Sequence, residues 1–129
     1  MNEWALYILS TIALVAAAVA LSLFGPYYET GIASWYGPGF HGNYTANGEV
    51  YDQEGISAAH KTLPFDTVVR VVEIETGNSI VVRINDRGPF VEGRIIDLSK
   101  GAARELGIVE KGITQVGLRI IRWPAGARP

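Results

Sequence analysis

The chain has no cysteine. That excludes disulfides, thiolate catalysis, cysteine-ligated metals and a lipid-modified cysteine as an anchor. It has two histidines, His41 and His60, too few without thiols for a catalytic zinc site to be expected. Basic residues are missing from the N-terminal part, where the first Lys or Arg is Lys61. From Gly25 onward the chain holds all 11 basic residues and every Asp and Glu except Glu3. That near-balance argues against a nucleic-acid footprint, which needs a concentrated basic face. Thr45 and Ser57 lack the His-Asp partners that a hydroxyl nucleophile needs. No internal repeat or low-complexity stretch is visible, and 129 residues have room for one compact domain.

What is present begins with a long apolar run. Ala5 to Phe24 carries no charged side chain. At about 1.5 Å per residue such a helix spans roughly 30 Å, the hydrocarbon thickness of a bilayer. Trp4 and Tyr7 at one end, and Tyr27 and Tyr28 at the other, are placed for the two interfaces, and Gly25-Pro26 ends the helix. The expected reading is an uncleaved membrane anchor. The alternative is a signal peptide, with Ala16, Ala18 and Ala20 as small residues for cleavage. Against it, apolar residues continue through Leu21, Leu23 and Phe24, and no positive segment leads the run. Orientation is not set, because the positive-inside rule has nothing to count there. The expected division is residues 1–26 as anchor or signal, 27–123 as the domain, and 124–129 as a flexible tail.

Strand signals dominate beyond residue 30. Thr67–Ile74 and Ser79–Ile84 are rich in Val and Ile, and Glu75-Thr76-Gly77-Asn78 supplies a turn, so the pair reads as a hairpin. Gly31–Tyr36, Arg94–Leu98 and Gln115–Arg122 are further strand candidates. One short helix is expected, with Ser99 as N-cap, Lys100–Leu106 as its body and Gly107 closing it. Short strands with one helix point to a small barrel rather than a βαβ sheet, and periodicity does not say which barrel.

Three polar runs rich in turn residues separate these segments: Gly31–Gly42, Thr45–Pro64 and Asn85–Phe90. They hold both histidines and Trp35, Tyr36, Glu49, Asp52 and Asp86, the makings of a carboxylate site displayed on loops. Asp86 ends an apolar strand and precedes Arg87-Gly88-Pro89, so it projects at a strand end, as a catalytic acid or as a turn-capping Asp.

The motifs ASWYG (Ala33–Gly37), FHG (Phe40–Gly42), TANGEVYD (Thr45–Asp52), AAHKTLPF (Ala58–Phe65), VVRINDRGPF (Val81–Phe90) and RIIDLSKGAARELG (Arg94–Gly107) closely resemble the RlpA family, rare-lipoprotein-A-like septal lytic transglycosylases. The resemblance covers Gly31 to about Ile121. It implies a mainly β fold, a six-stranded double-psi β-barrel with one short helix, here preceded by the N-terminal transmembrane or signal helix. It also implies action on peptidoglycan, favouring glycan strands stripped of their peptides, in the bacterial cell envelope and with no cofactor. Membrane attachment through the N-terminal helix and cell-division or wall-synthesis proteins as partners follow from the same resemblance. The chain departs from the family's common pattern in having no cysteine for lipidation, and a C-terminal peptidoglycan-binding repeat is not expected after the barrel.

A lytic transglycosylase needs an acid that protonates the leaving oxygen and then, as base, helps the substrate's own 6-hydroxyl close a 1,6-anhydro ring. One carboxyl group with a raised pKa suffices for both steps. The resemblance points to Asp86 as that acid. Glu49 and Asp52, three residues apart, are candidates for acid or charge partner, or are solvated loop charges. His60 is expected to hydrogen-bond Asp86 or the sugar, or to be a packed core residue. His41 and Asn85 are weaker contact candidates. Trp35 and Tyr36 face opposite ways on a strand, one to the core and the other to stack on a sugar, with Tyr51 joining that platform. Arg87 and Arg94 are expected to contact sugar groups or to pair with Asp86 and Asp97, and Asp97 is read as structural. The other class of function is a non-catalytic, expansin-like module that binds or loosens wall glycan.

Overall fold

The structure is a computed structural model that describes residues 2–127, with the backbone alone for 21–24. Arg128 and Pro129, the end of the expected tail, lie outside the described residues. The first element is helix α1 (Glu3–Phe24). The Asn2 side chain accepts the Ala5 amide at 3.1 Å, and Glu3 in the first turn complements the positive helix end. Its window Glu3–Ala20 is long and apolar enough to cross a membrane, and none of it is buried.

Six strands follow: β1 (Glu29–Trp35), β2 (Ser57–His60), β3 (Val68–Glu73), β4 (Ser79–Asp86), β5 (Arg94–Leu98) and β6 (Thr114–Arg122). They close a barrel in the order β1-β5-β2-β4-β3-β6. The β1–β5 and β2–β4 pairs are parallel and the others antiparallel. The expected hairpin is β3–β4, and Gly77 adopts φ +77° in its turn, where a side chain would be strained. Val69 lies opposite Val82 and Val71 opposite Ile80, and all four face the core. That register puts the apolar set of both strands on one side. Leu98, Leu118, Ile84 and Ile96 complete the interior, each fully buried and contributing roughly 1.5–3 kcal/mol.

Strand β2 was not expected. Its residues, Ser-Ala-Ala-His, carry no β-branched or aromatic signature, yet all four are buried between β4 and β5. Small residues suit a strand enclosed on both sides.

Helix α2 (Lys100–Leu106) is the expected short helix. Ser99 Oγ accepts the Ala102 amide at 3.2 Å and donates to the Gly55 carbonyl at 2.7 Å, tying the helix start to the loop before β2. Gly101 lets that loop approach: a Cβ there would stand 2.6 Å from the carbonyl oxygens of Glu54 and Gly55. Gly107 closes the helix in the left-handed region, its amide reaching the Ala103 and Arg104 carbonyls.

Candidate functional site

Lateral pairing builds the site. Asp86 of β4 lies beside Ala59 of β2, Ala59 beside Asp97 of β5, and Asp97 beside Ser34 of β1. Residues in one lateral row share a face, so the two aspartates sit two strands apart with only an alanine between them. Both line a hollow of about 420 Å³ whose walls include Tyr36, Phe40, Phe90 and Arg94.

Asp86 accepts three hydrogen bonds. Tyr36 Oη donates to Oδ2 at 2.5 Å, and the amides of Ala46 and Arg87 donate to Oδ1 at 2.9 and 2.8 Å. It acts as acceptor in all three, the role of a carboxylate. Burial, with the Asp86 hydrogen bond and charge, holds the Tyr36 phenol far above its ordinary range, so it remains a donor. Its ring stacks on Tyr51 at 4.6 Å between centroids and meets Phe40 edge-on.

Asp97 has a different setting. Among the described residues its one side-chain bond is from Ser34 Oγ at 3.2 Å. Burial, with a smaller push from the Asp86 charge, raises its carboxyl to about 6, against the opposing pull of Ser34 and the Arg94 charge. One carboxylate saturated with donors and one short of them share a cleft, which is the division of labour that acid–base chemistry uses.

The other expected site residues take other positions. Glu49 is not at the aspartate pair. Arg83 grips both of its oxygens, at 2.6 and 2.7 Å, Asn47 also bonds it, and these hydrogen bonds lower its carboxyl to about 2. Asp52 is exposed and caps its own turn, accepting the Glu54 amide at 3.0 Å. His60 is 2% exposed and does not reach Asp86. Ala59 faces the aspartates, so the next side chain on the strand points away. Nδ1 of His60 accepts the Thr62 and Leu63 amides, so Nε2 carries the hydrogen and meets Glu29 at 2.7 Å. Its carbonyl accepts Arg87 Nη1 at 3.3 Å.

Tyr51 is 3% exposed behind Tyr36, its hydroxyl accepting the Lys100 amide at 3.2 Å, so it offers no face to a sugar. Asn85 is buried at the register irregularity between Ile84 and Asp86 on β4 and is not among the residues lining the aspartate hollow. His41 is exposed and accepts the Gln53 amide at 3.1 Å. Trp35 packs partly on the core and edges the hollow, as does Arg87, whose guanidinium also lies 4.0 Å over the Phe65 ring. Asp97 is the candidate that sequence reasoning read as structural; it interrupts the apolar run at residues 95–98 rather than ending it, and its place in the hollow comes from the barrel register. Phe90 and Phe40, 83% and 51% exposed, were passed over too, and they form an apolar rim beside the aspartates.

A closed six-stranded mixed barrel with a paired-aspartate cleft and aromatic rim places the chain among the double-psi β-barrel proteins. A sequence profile described as lytic transglycolase matches residues 28–118. The chain is 61% identical over 92 residues to a probable endolytic peptidoglycan transglycosylase RlpA of Synechocystis, covering 71% of this chain and 29% of that protein. It is 55% identical over 91 residues to the endolytic peptidoglycan transglycosylase RlpA of Campylobacter jejuni, covering 70% of this chain and 33% of that protein. The chain therefore belongs to the RlpA family of lytic transglycolases, and it spans about a third of the length of these relatives. Among solved structures, the Streptomyces papain inhibitor superposes with TM-score 0.59 at 23% identity, over 75% of this chain and 98% of its own. An expansin of Clavibacter michiganensis superposes with TM-score 0.57 at 26% identity, over 75% of this chain and 52% of its own.

Proposed function

We propose that the barrel is an endolytic peptidoglycan lytic transglycosylase, held to a bacterial membrane by α1 with the barrel on the outer side. The observation that carries this reading is the unequal pair of Asp86 and Asp97 in one hollow. Asp97, short of hydrogen-bond donors, gives its proton to the glycosidic oxygen as the C1–O bond breaks. Asp86, fixed as an acceptor by Tyr36 and two amides, faces the positive charge that develops at C1. The substrate's 6-hydroxyl oxygen then bonds to C1, and its proton returns to Asp97, so the acid is regenerated without water. Phe90 and Phe40 offer apolar surface to the sugar faces on the rim. The names of the relatives support the choice of peptidoglycan.

The test uses the full chain in detergent with amidase-treated sacculi, and mass spectrometry of the products. Fragments ending in 1,6-anhydromuramyl groups are expected. Retention on sacculi with no such ends would leave an expansin-like binding module instead.

A further inference from the structure

Helix α1 has no basic residue in its last turn. A helix C-terminus leaves carbonyl oxygens without partners and favours a cation beside them. The barrel supplies one. Arg119 of β6 donates from Nε to the Gly25 carbonyl at 2.8 Å, and its guanidinium lies 4.2 Å over the Tyr27 ring. Tyr27 in turn lies against Gly117 of β6, where a Cβ would overlap the ring. The Tyr28 amide donates to the Leu118 carbonyl at 2.7 Å, and the Tyr28 ring meets Trp123 edge-on at 5.9 Å. Only four residues separate α1 from β1, and three of them, Gly25, Tyr27 and Tyr28, are thus fastened to β6 or to the residue after it. A connection without slack holds the end of β6 beside the end of the helix.

With α1 across a membrane, that place is the headgroup layer, and what β6 presents there suits it. Ile121 and Arg122 are exposed, Trp123 is partly buried, and a hollow of about 650 Å³ opens among residues 120–126. Among the described residues the Arg122 side chain meets no hydrogen-bond acceptor and no carboxylate. Across the sheet it stands beside Val68 of β3, and the nearby Asp66 is held by Arg83. A tryptophan next to a basic residue at the end of a membrane helix is the composition of a membrane–water interface. We propose that the end of β6 is a lipid-docking face: Ile121 and Trp123 enter the headgroup layer of the membrane that α1 crosses, and Arg122 pairs with a lipid phosphate. This rests on the membrane-anchored reading above and adds to it a fixed orientation of the barrel. The aspartate hollow shares no lining residue with this face, so docking does not occupy it.

The experiment uses the absence of cysteine, which lets one introduced thiol carry an environment-sensitive NBD dye. The full chain is placed in nanodiscs of phosphatidylcholine, or of equal parts phosphatidylcholine and phosphatidylglycerol, with a nitroxide quencher on some headgroups. Ala125→Cys, in the hollow, is expected to shift its emission to the blue and to be quenched. Asn78→Cys, in the β3–β4 turn at the other end of β6 and roughly 26 Å along that strand, should show neither. Phosphatidylglycerol should raise the docked-to-free ratio of the Ala125 dye about fivefold, the pull on one basic side chain at an anionic surface. Arg122→Gln in the labelled chain should cancel that rise, and Arg119→Gln should lower the quenching in both lipids. An Ala125 dye left unquenched in both lipids, or a lipid preference that survives Arg122→Gln, overturns the proposal. Val15→Cys, in α1, separates it from the reading it rests on. If that dye enters the acyl region while the Ala125 dye stays in water, docking alone fails; if both stay in water, anchoring fails and docking with it.

Discussion

Asp97 and Glu49 are carboxylates on one barrel whose surroundings push them in opposite directions. Glu49 meets a two-pronged guanidinium and an amide, and its carboxyl falls to about 2. Asp97 meets one hydroxyl and a low-dielectric wall, and its carboxyl rises to about 6. The first arrangement holds a loop: Arg83 bridges Glu49 to Asp66 and so pins the Thr45–Val50 turn against β4. The second leaves a group able to exchange a proton near neutral pH. The two regions differ in where the neutralising cation is. At Glu49 it grips both carboxyl oxygens; at Asp97 the nearby Arg94 acts through its charge alone, with no ion pair formed.

The largest effect that would sharpen this contrast is on turnover. Asp97→Asn is expected to lower the rate of anhydro-end release by about 10²–10⁴-fold, the usual contribution of a positioned acid or base. Asp86→Asn should also be damaging, but by removing charge at C1 rather than the proton. The pH profile tells the two apart. Asp97 is competent as an acid while protonated, so the wild-type rate should fall as pH rises through about 6. Asp86→Asn removes a neighbouring negative charge, so Asp97 should lose its proton at lower pH and the falling limb should move down. A limb that stays in place in Asp86→Asn would break the electrostatic link between the pair.

A smaller effect is expected at Tyr36. Tyr36→Phe keeps the stack on Tyr51 but takes one of three donors from Asp86. A hydrogen bond to a charged group is worth about 1.5–3 kcal/mol, so a loss of roughly ten- to a hundredfold in kcat is expected, with KM little changed. A loss confined to KM would recast Tyr36 as a sugar contact.

Why the sequence revealed some of this and concealed the rest follows from the range of the interactions. The β3–β4 hairpin and α2 were legible because their causes are local: Val and Ile alternation, Ser99 as cap, Gly107 with φ +84°. Asp86 was legible as a polar residue closing an apolar strand. Strand β2 was hidden because Ser57–His60 is small and unbranched, and its burial comes from β4 and β5 closing over it. Missing that strand also concealed the alternation that turns His60 toward Glu29 and leaves Ala59 between the aspartates. Asp97 could not be seen as a partner of Asp86 because their proximity is set by a register running through β2. At Glu49 the sequence leaves a catalytic acid, a charge partner and a solvated loop charge all open, since Arg83 is distant in sequence and adjacent only in the closed barrel.

The smallest effect tests the other half of the comparison. A carboxyl held below its ordinary 4.5 stabilises the fold above that pH, and this contribution disappears as pH falls through about 2. Glu49 and Arg83 are both partly exposed, so solvent screening limits the pair to about 0.2–1 kcal/mol. Glu49→Gln should therefore melt a few degrees below wild type at pH 7, with the gap narrowing toward pH 2 as the wild-type carboxyl gains its proton. Arg83→Gln should lower the melting temperature at pH 7 by more, because it also releases Asp66. If the gap for Glu49→Gln were equally wide at both pH values, Glu49 would be held by packing rather than charge, and the opposition between the two carboxylates would rest on Asp97 alone.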